Sequence, residues 1–133
     1  MSKAQLIELR VPASSEFMKV IRLVLAGIGN TLGFNAEDIE DIKIAVGEAC
    51  YNAFRKEPEA GDCILIKSAF DEKKLTITII QKPAKGGFPS LLSLKDPVEK
   101  GIGIILMKHL MDQVKYVCDD SGIQITLVKN IKE

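Results

Sequence analysis

The sequence predicts an α+β domain, a two-layer sandwich in which a mixed, largely antiparallel sheet carries helices on one face. Three observations predict it. Apolar periodicity switches between two and about 3.6 along the chain, in the order strand, helix, helix, strand, strand, helix, strand, strand. Both later strand pairs are joined by short polar turns, as antiparallel hairpins are. Helices and strands do not alternate one for one, which argues against a doubly wound parallel sheet. A chain of 133 residues can bury one real core and is too short for two, so residues 1–133 are expected to form a single domain.

The first strand spans residues 5–11, where Ile7, Leu9 and Val11 alternate with Glu8 and Arg10. From Ser15 the spacing turns helical. Phe17, Ile21, Val24, Leu25, Ile28 and Leu32 form one stripe, with a serine cap ahead and Gly33 behind, which predicts a helix of about five turns. Asn35 supplies the next cap, and Glu37 and Asp38 suit the positive end of a helix dipole. That second helix turns Ile39, Ile42, Val46, Ala49 and Ala53 inward and is expected to stop near Glu57, before Pro58. Residues 63–70 and 75–80 are period-two runs around the charged turn Asp71-Glu72-Lys73-Lys74. Residues 82–98 hold three prolines and two glycines without a period, which predicts a long functional loop. A third helix over roughly 101–113 places Ile104, Met107, Leu110, Met111 and Val114 on one stripe. The last hairpin, 114–118 with 123–129, turns at Asp119-Asp120-Ser121-Gly122.

Eighteen basic residues against eighteen acidic ones leave no net field to hold nucleic acid or an anionic membrane. No apolar run approaches the ~20 residues that span a bilayer, and the charged start MSKAQLIELR does not resemble an export signal. A cytoplasmic chain without nucleic-acid or membrane partners is expected. Cys50, Cys63 and Cys118 are odd in number and form no C-x-x-C pair, so buried reduced thiols are expected rather than a disulfide framework or a zinc site. His109, the single histidine, falls off the apolar stripe of its helix and is expected at the surface.

Two segments carry chemistry. In the second helix Glu48 and Asn52 are four apart and therefore one turn from each other on one face, with Lys56 a further turn along. A carboxylate that can take a proton, an amide oxygen that can bind a hard cation and an ammonium that can meet phosphate line one edge. The same E-x-x-x-N-x-x-x-K pattern also occurs on plain solvated helix faces. After the long loop, Gly101-Ile102-Gly103 stands at the expected mouth of the third helix, where exposed amides and the dipole favour an anion. A glycine pair needed only for turning accounts for it equally well. It is not a dinucleotide fingerprint, because Leu106 stands in the place of the third glycine.

Together these segments carry a family resemblance. DIKIAVGEACYNAFRK resembles the N-box of the anti-sigma-factor serine kinases, and GIGIILMKHLMDQV resembles their second glycine box and the helix after it. The likeness runs from the first strand through the final GIQITLVK strand. It implies a Bergerat (GHKL) ATPase fold, and a protein that binds a sigma factor and uses magnesium ATP to phosphorylate a serine on a small antagonist protein. By motif, Glu48 corresponds to the general base, Asn52 to the magnesium ligand, and Gly101, Ile102 and Gly103 to the turn over the phosphates, with Lys56 beside them. Lys19 lies where that family carries a partner-contacting basic residue after a phenylalanine; a plain solvent-facing lysine is the alternative. The resemblance also carries the expectation of a homodimer through the first strand or helix.

One departure stands out. Where the family has D-x-G-x-G, whose aspartate receives the adenine amino group, this chain has Gln81-Lys82-Pro83-Ala84-Lys85. Gln81 can still accept from an amino group and donate to a ring nitrogen. Pro83 and Lys85 cannot take up glycine's backbone conformations, so the pocket floor differs. Lys82 and Lys85 fit solvated loop charges as well as phosphate ligands. The expected function is therefore an anti-sigma-type serine/threonine-protein kinase with ATP and magnesium as cofactors, the alternative being a non-catalytic binding module of the same fold. A detached histidine-kinase ATP domain fits less well, because no histidine-bearing dimerisation helix is present.

Overall fold

The computed structural model describes residues 4–53, 61–82, 97–119 and 122–131, with residues 52, 53, 82, 97–102, 118 and 119 described as backbone only. Strand β1 (Gln5–Pro12) leads through a single 3-10 turn at Ser15–Phe17 into helices α1 (Met18–Thr31) and α2 (Ala36–Ala53). Then come the hairpin β2 (Cys63–Phe70) and β3 (Lys74–Lys82), helix α3 (Pro97–Leu110), and the hairpin β4 (Gln113–Asp119) and β5 (Gly122–Asn130). The sheet order is β1-β2-β3-β5-β4 with every pairing antiparallel. This is the α+β sandwich that the periodicity predicts.

Strand alternation divides the sheet into two faces. Ile64, Ile66, Leu75, Ile77, Ile79, Ile123, Ile125 and Leu127 are buried and form one core with Ile21, Leu25, Ile42, Val46 and Met107 of the helices. Each such side chain contributes roughly 1.5–3 kcal/mol by leaving water. The other face is polar at its centre, where Glu8, Lys67, Thr78, Thr126 and Lys115 stand in register across all five strands. Helix α2 lies between α1 and α3 and packs over β3 and β5.

Local chemistry sets most of the boundaries. The Asn35 cap forms, its Oδ1 accepting from the Asp38 amide at 2.7 Å. Gly33 closes α1 with φ +84°, a conformation open to glycine. Asp71 Oδ1 accepts from the amides of Lys73 and Lys74 at 2.7 and 3.0 Å, which ties the β2–β3 turn. The serine cap expected ahead of α1 is not made: neither Ser14 nor Phe17 gives a side-chain cap, and the chain enters the helix through backbone bonds of the 3-10 turn.

The third helix is displaced toward its N-terminus relative to expectation. It begins at Pro97, whose fixed φ suits the first helical position, and ends at Leu110. It cannot continue to 113, because the Asp112 amide donates to Val128 O at 2.8 Å and Asp112 Oδ2 accepts from the Asn130 amide at 2.6 Å. The helix stop predicted near Glu57 and the loop over 83–96 lie outside the described residues. Cys50 is buried as expected, whereas Cys63 is only half-buried, on the open face, where Arg10 Nε donates to its Sγ at 3.4 Å. The Cys118 side chain lies outside the described residues. His109 is exposed.

Candidate functional site at one end of the sandwich

One buried lysine establishes which ends of the helices lie together. Lys129, 7% exposed near the end of β5, donates through Nζ to the Leu110 carbonyl at 2.6 Å and lies 3.9 and 3.6 Å from the carboxylates of Asp38 and Asp41. Its cross-strand partner is Leu75, at the start of β3. The start of α2, the end of α3 and the start of β3 therefore share one end of the domain. At about 1.5 Å per residue, Glu48 lies roughly 10 Å along α2 from Asp41, and Gly103 roughly 10 Å back along α3 from Leu110. At about 3.3 Å per residue, Gln81 is about 20 Å along β3 from Leu75. Glu48, Asn52, Gly101, Ile102, Gly103 and Gln81 thus converge at the opposite end.

Helix α1 runs antiparallel to α2. Gly29 lies against Ile39 and the Arg22 guanidinium lies beside Gly47, so Lys19, exposed on the first turn of α1, stands at the converging end as well. Glu48 is half-buried at the margin of the stripe formed by Ala45, Val46, Ala49 and Cys50. Burial pushes the Cys50 thiol up to about 12, against the lowering influence of the Arg22 charge. Glu48 therefore stands next to a buried apolar stripe, one residue from the Gly47 position that the Arg22 guanidinium approaches.

Gln81 is the most deeply buried polar residue described in this core. It is 1% exposed, sits between Ile64 and Ile123 on the helix-facing side, and its Oε1 is buried without a hydrogen-bond partner. Such an orphan costs about 1–3 kcal/mol. Residues that bear such a cost at the converging end fit a ligand that donates to that oxygen.

The glycine pair departs from expectation. Gly101 and Gly103 lie inside α3 rather than at its mouth, so their amides fall where intrahelical bonds to the carbonyls of residues 97 and 99 form. The sequence signal for this start was the run Asp96-Pro97-Val98-Glu99, an acid three residues before a glutamate with proline between. Gly103 is buried, which suits close packing where α3 meets α2. Lys56 lies outside the described residues, as does the Asn52 side chain.

Two residues at this end were not singled out from sequence. Arg22 is three residues beyond Lys19, a spacing that puts both on one side of a helix, but only the α1–α2 packing brings it beside Gly47. Asp62, 5% exposed, is two residues before Ile64 in the alternation and so belongs to the same face as Gln81. Its position after Gly61, at φ +91°, was the available signal of a turn into a strand. Among the described residues no group of three His, Cys, Asp or Glu side chains is placed to hold a metal.

Comparison with known proteins matches this fold. Residues 11–129 match the family model of the histidine kinase-like ATPase domain. The serine-protein kinase RsbW of Bacillus mycoides is 31% identical, over 99% of this chain and 89% of its own length. That of Halalkalibacterium halodurans is 35% identical, over 92% and 82%. The chain belongs to the RsbW family of serine-protein kinases. In three dimensions it superposes with a TM-score of 0.72 on the crystal structure of the RsbU and RsbW domains of a Mycobacterium tuberculosis protein. That likeness covers 97% of this chain and 33% of the longer one at 16% identity, and it shows the fold. The RsbW-like fold accounts for the open antiparallel sheet with helices on one face. Among the described residues, no helix is long and apolar enough to cross a membrane.

Proposed function

We propose that this chain is an anti-sigma-type serine-protein kinase, acting in the cytoplasm, that binds a sigma factor and phosphorylates a serine on a small antagonist protein with magnesium ATP. The observation that carries this reading is the orphaned amide oxygen of Gln81 at the same end as Glu48 and Asn52, in a chain of the RsbW family. Gln81 would accept a hydrogen bond from the base, Asn52 would offer its amide oxygen to the magnesium ion, and Lys56 would face phosphate. When bound, magnesium ATP supplies the phosphoryl group. Glu48, half-buried at the helix margin, would take the proton from the serine hydroxyl, a positioning and proton-transfer role on which such reactions depend. Lys19 with exposed Val20 and Leu23 offers a mixed basic and apolar surface on α1 for the protein partner, and the position of β1 at the edge of the described sheet suits a homodimer.

A second reading has an observation of its own. Because the amides of Gly101 and Gly103 fall within α3, they are not offered as an anion nest, which favours a binding module that holds its protein partner without turnover. Calorimetric titration with ATP, with and without magnesium, separates the two. The kinase reading expects magnesium-dependent binding that Asn52→Ala renders magnesium-independent. It also expects Glu48→Gln to keep binding and lose phosphoryl transfer to the antagonist. Absence of nucleotide binding, with retained capture of a purified sigma factor, would establish the binding module instead.

A further inference from the structure

Among the described residues of the converging end, Gln81 has a buried oxygen without a partner, and the side chains of its neighbours in the sheet, Ile64 and Ile123, have nothing to give it. An amide differs from a carboxylate in what it can present. Its carbonyl accepts, its NH₂ donates, and a half-turn about the last side-chain torsion exchanges the two positions. The edge of a 6-aminopurine offers a donor at the amino group and an acceptor at the neighbouring ring nitrogen. The edge of a 6-oxopurine offers the reverse, an acceptor at the oxygen and a donor at the ring N–H. A glutamine can meet either edge with two hydrogen bonds by choosing its rotamer. A carboxylate, which only accepts, can take a bond from the amino group or from the ring N–H, but against a 6-oxopurine its second oxygen sets lone pairs against the 6-oxo oxygen.

We infer that Gln81 is the base-selecting residue of this chain and that it makes the nucleotide site admit 6-oxopurine nucleotides, guanosine and inosine triphosphates, alongside ATP. The inference rests on the reading of this end as a nucleotide site. Burial between two isoleucines strengthens the selection it makes, because an unmatched group there has no water to turn to. Among the described residues of this end of the face, the other buried polar one, Asp62, is already engaged, which leaves Gln81 to read the base.

Calorimetry on the intact chain tests this with magnesium complexes of ATP, ITP and GTP, using CTP as the control. The parent is expected to bind ATP and ITP within about tenfold of each other and CTP far more weakly. ITP isolates the 6-position, because it lacks the 2-amino group of GTP. Gln81→Asp should bind ATP at least as well as the parent and lose ITP by tenfold or more. Gln81→Leu should weaken both purines together, with retained secondary structure checked by circular dichroism. Rejection of ITP by the parent more than a hundredfold relative to ATP would overturn the inference while leaving the nucleotide site standing. So would an unchanged ATP to ITP ratio in a folded Gln81→Asp protein. Binding of none of the four nucleotides would overturn both the inference and the nucleotide reading beneath it.

Discussion

Asp71 and Cys50 show how individual groups couple the fold to pH. The amides of Lys73 and then Lys74 hold the Asp71 carboxyl below its ordinary range. A depressed folded-state value means that the turn gains from the carboxylate above the unfolded value of about 3.9 and loses that gain as the pH falls through the folded one. Asp71→Ala should therefore lower the urea midpoint at pH 7, and the gap from the parent should close as the pH is taken below the carboxylate range. For Cys50 the sign is opposite, since its thiol is raised to about 12. Stability is unaffected below the unfolded value of about 8.5 and falls as the pH rises above it, because only the unfolded chain can ionise the thiol there. Brief iodoacetamide treatment at pH 8 followed by peptide mapping should label half-exposed Cys63 and leave Cys50 unmodified until denaturant is added.

Helix packing rests on glycines that look alike in sequence and are not alike in space. A Cβ at Gly29 would lie 2.9 Å from Ile39 Cγ1, whereas one at Gly47 would meet only the tip of Arg22 at 3.6 Å, an ordinary contact. Alanine gains about 1 kcal/mol of helix propensity over glycine. Overpacking a buried contact costs about 1–3 kcal/mol. Gly29→Ala should therefore lower the denaturation midpoint by forcing α1 from α2, and Gly47→Ala should raise it by up to about 1 kcal/mol. Urea unfolding of the two variants in parallel checks both signs. The same contrast marks what was legible at this scale. The cap at Asn35 and the turn at Asp71 are local chemistry and could be predicted. The missing cap at Ser14 and the displaced start of α3 turned on which of several adjacent signals won.

Across the whole molecule, Lys129 joins the start of α2, the end of α3 and the last strand through one buried ammonium. Lys129→Met keeps the aliphatic volume and leaves the Leu110 carbonyl and two partly buried carboxylates without their cation, a loss of about 3 kcal/mol. Thermal unfolding should show a lower midpoint for this variant. Asp38→Asn and Asp41→Asn should each recover part of that loss in the Lys129→Met background, since they remove the uncompensated charge. No recovery would mean that the Leu110 bond alone matters. The candidate site at the other end depends on this clamp only through the polarity it gives the helices.

The amino-acid order by itself determined the eight regular elements, the antiparallel hairpins and the pairing of Glu48 with Asn52 one turn apart, because periodicity, caps and turns act over a few neighbouring residues. It also marked Gln81 as a strand-end polar group. Tertiary structure alone decided that Gln81 is buried between Ile64 and Ile123 with its oxygen unmatched, and that Arg22 meets Gly47 from another helix. Strand order and helix polarity are contests among contacts far apart in the chain, won by joint burial of the sheet face and the helical stripes. Gly101 and Gly103 lie where the two levels disagree. Locally each weakens a helix by about 1 kcal/mol relative to alanine, yet packing of α3 against α2 keeps the helix through them.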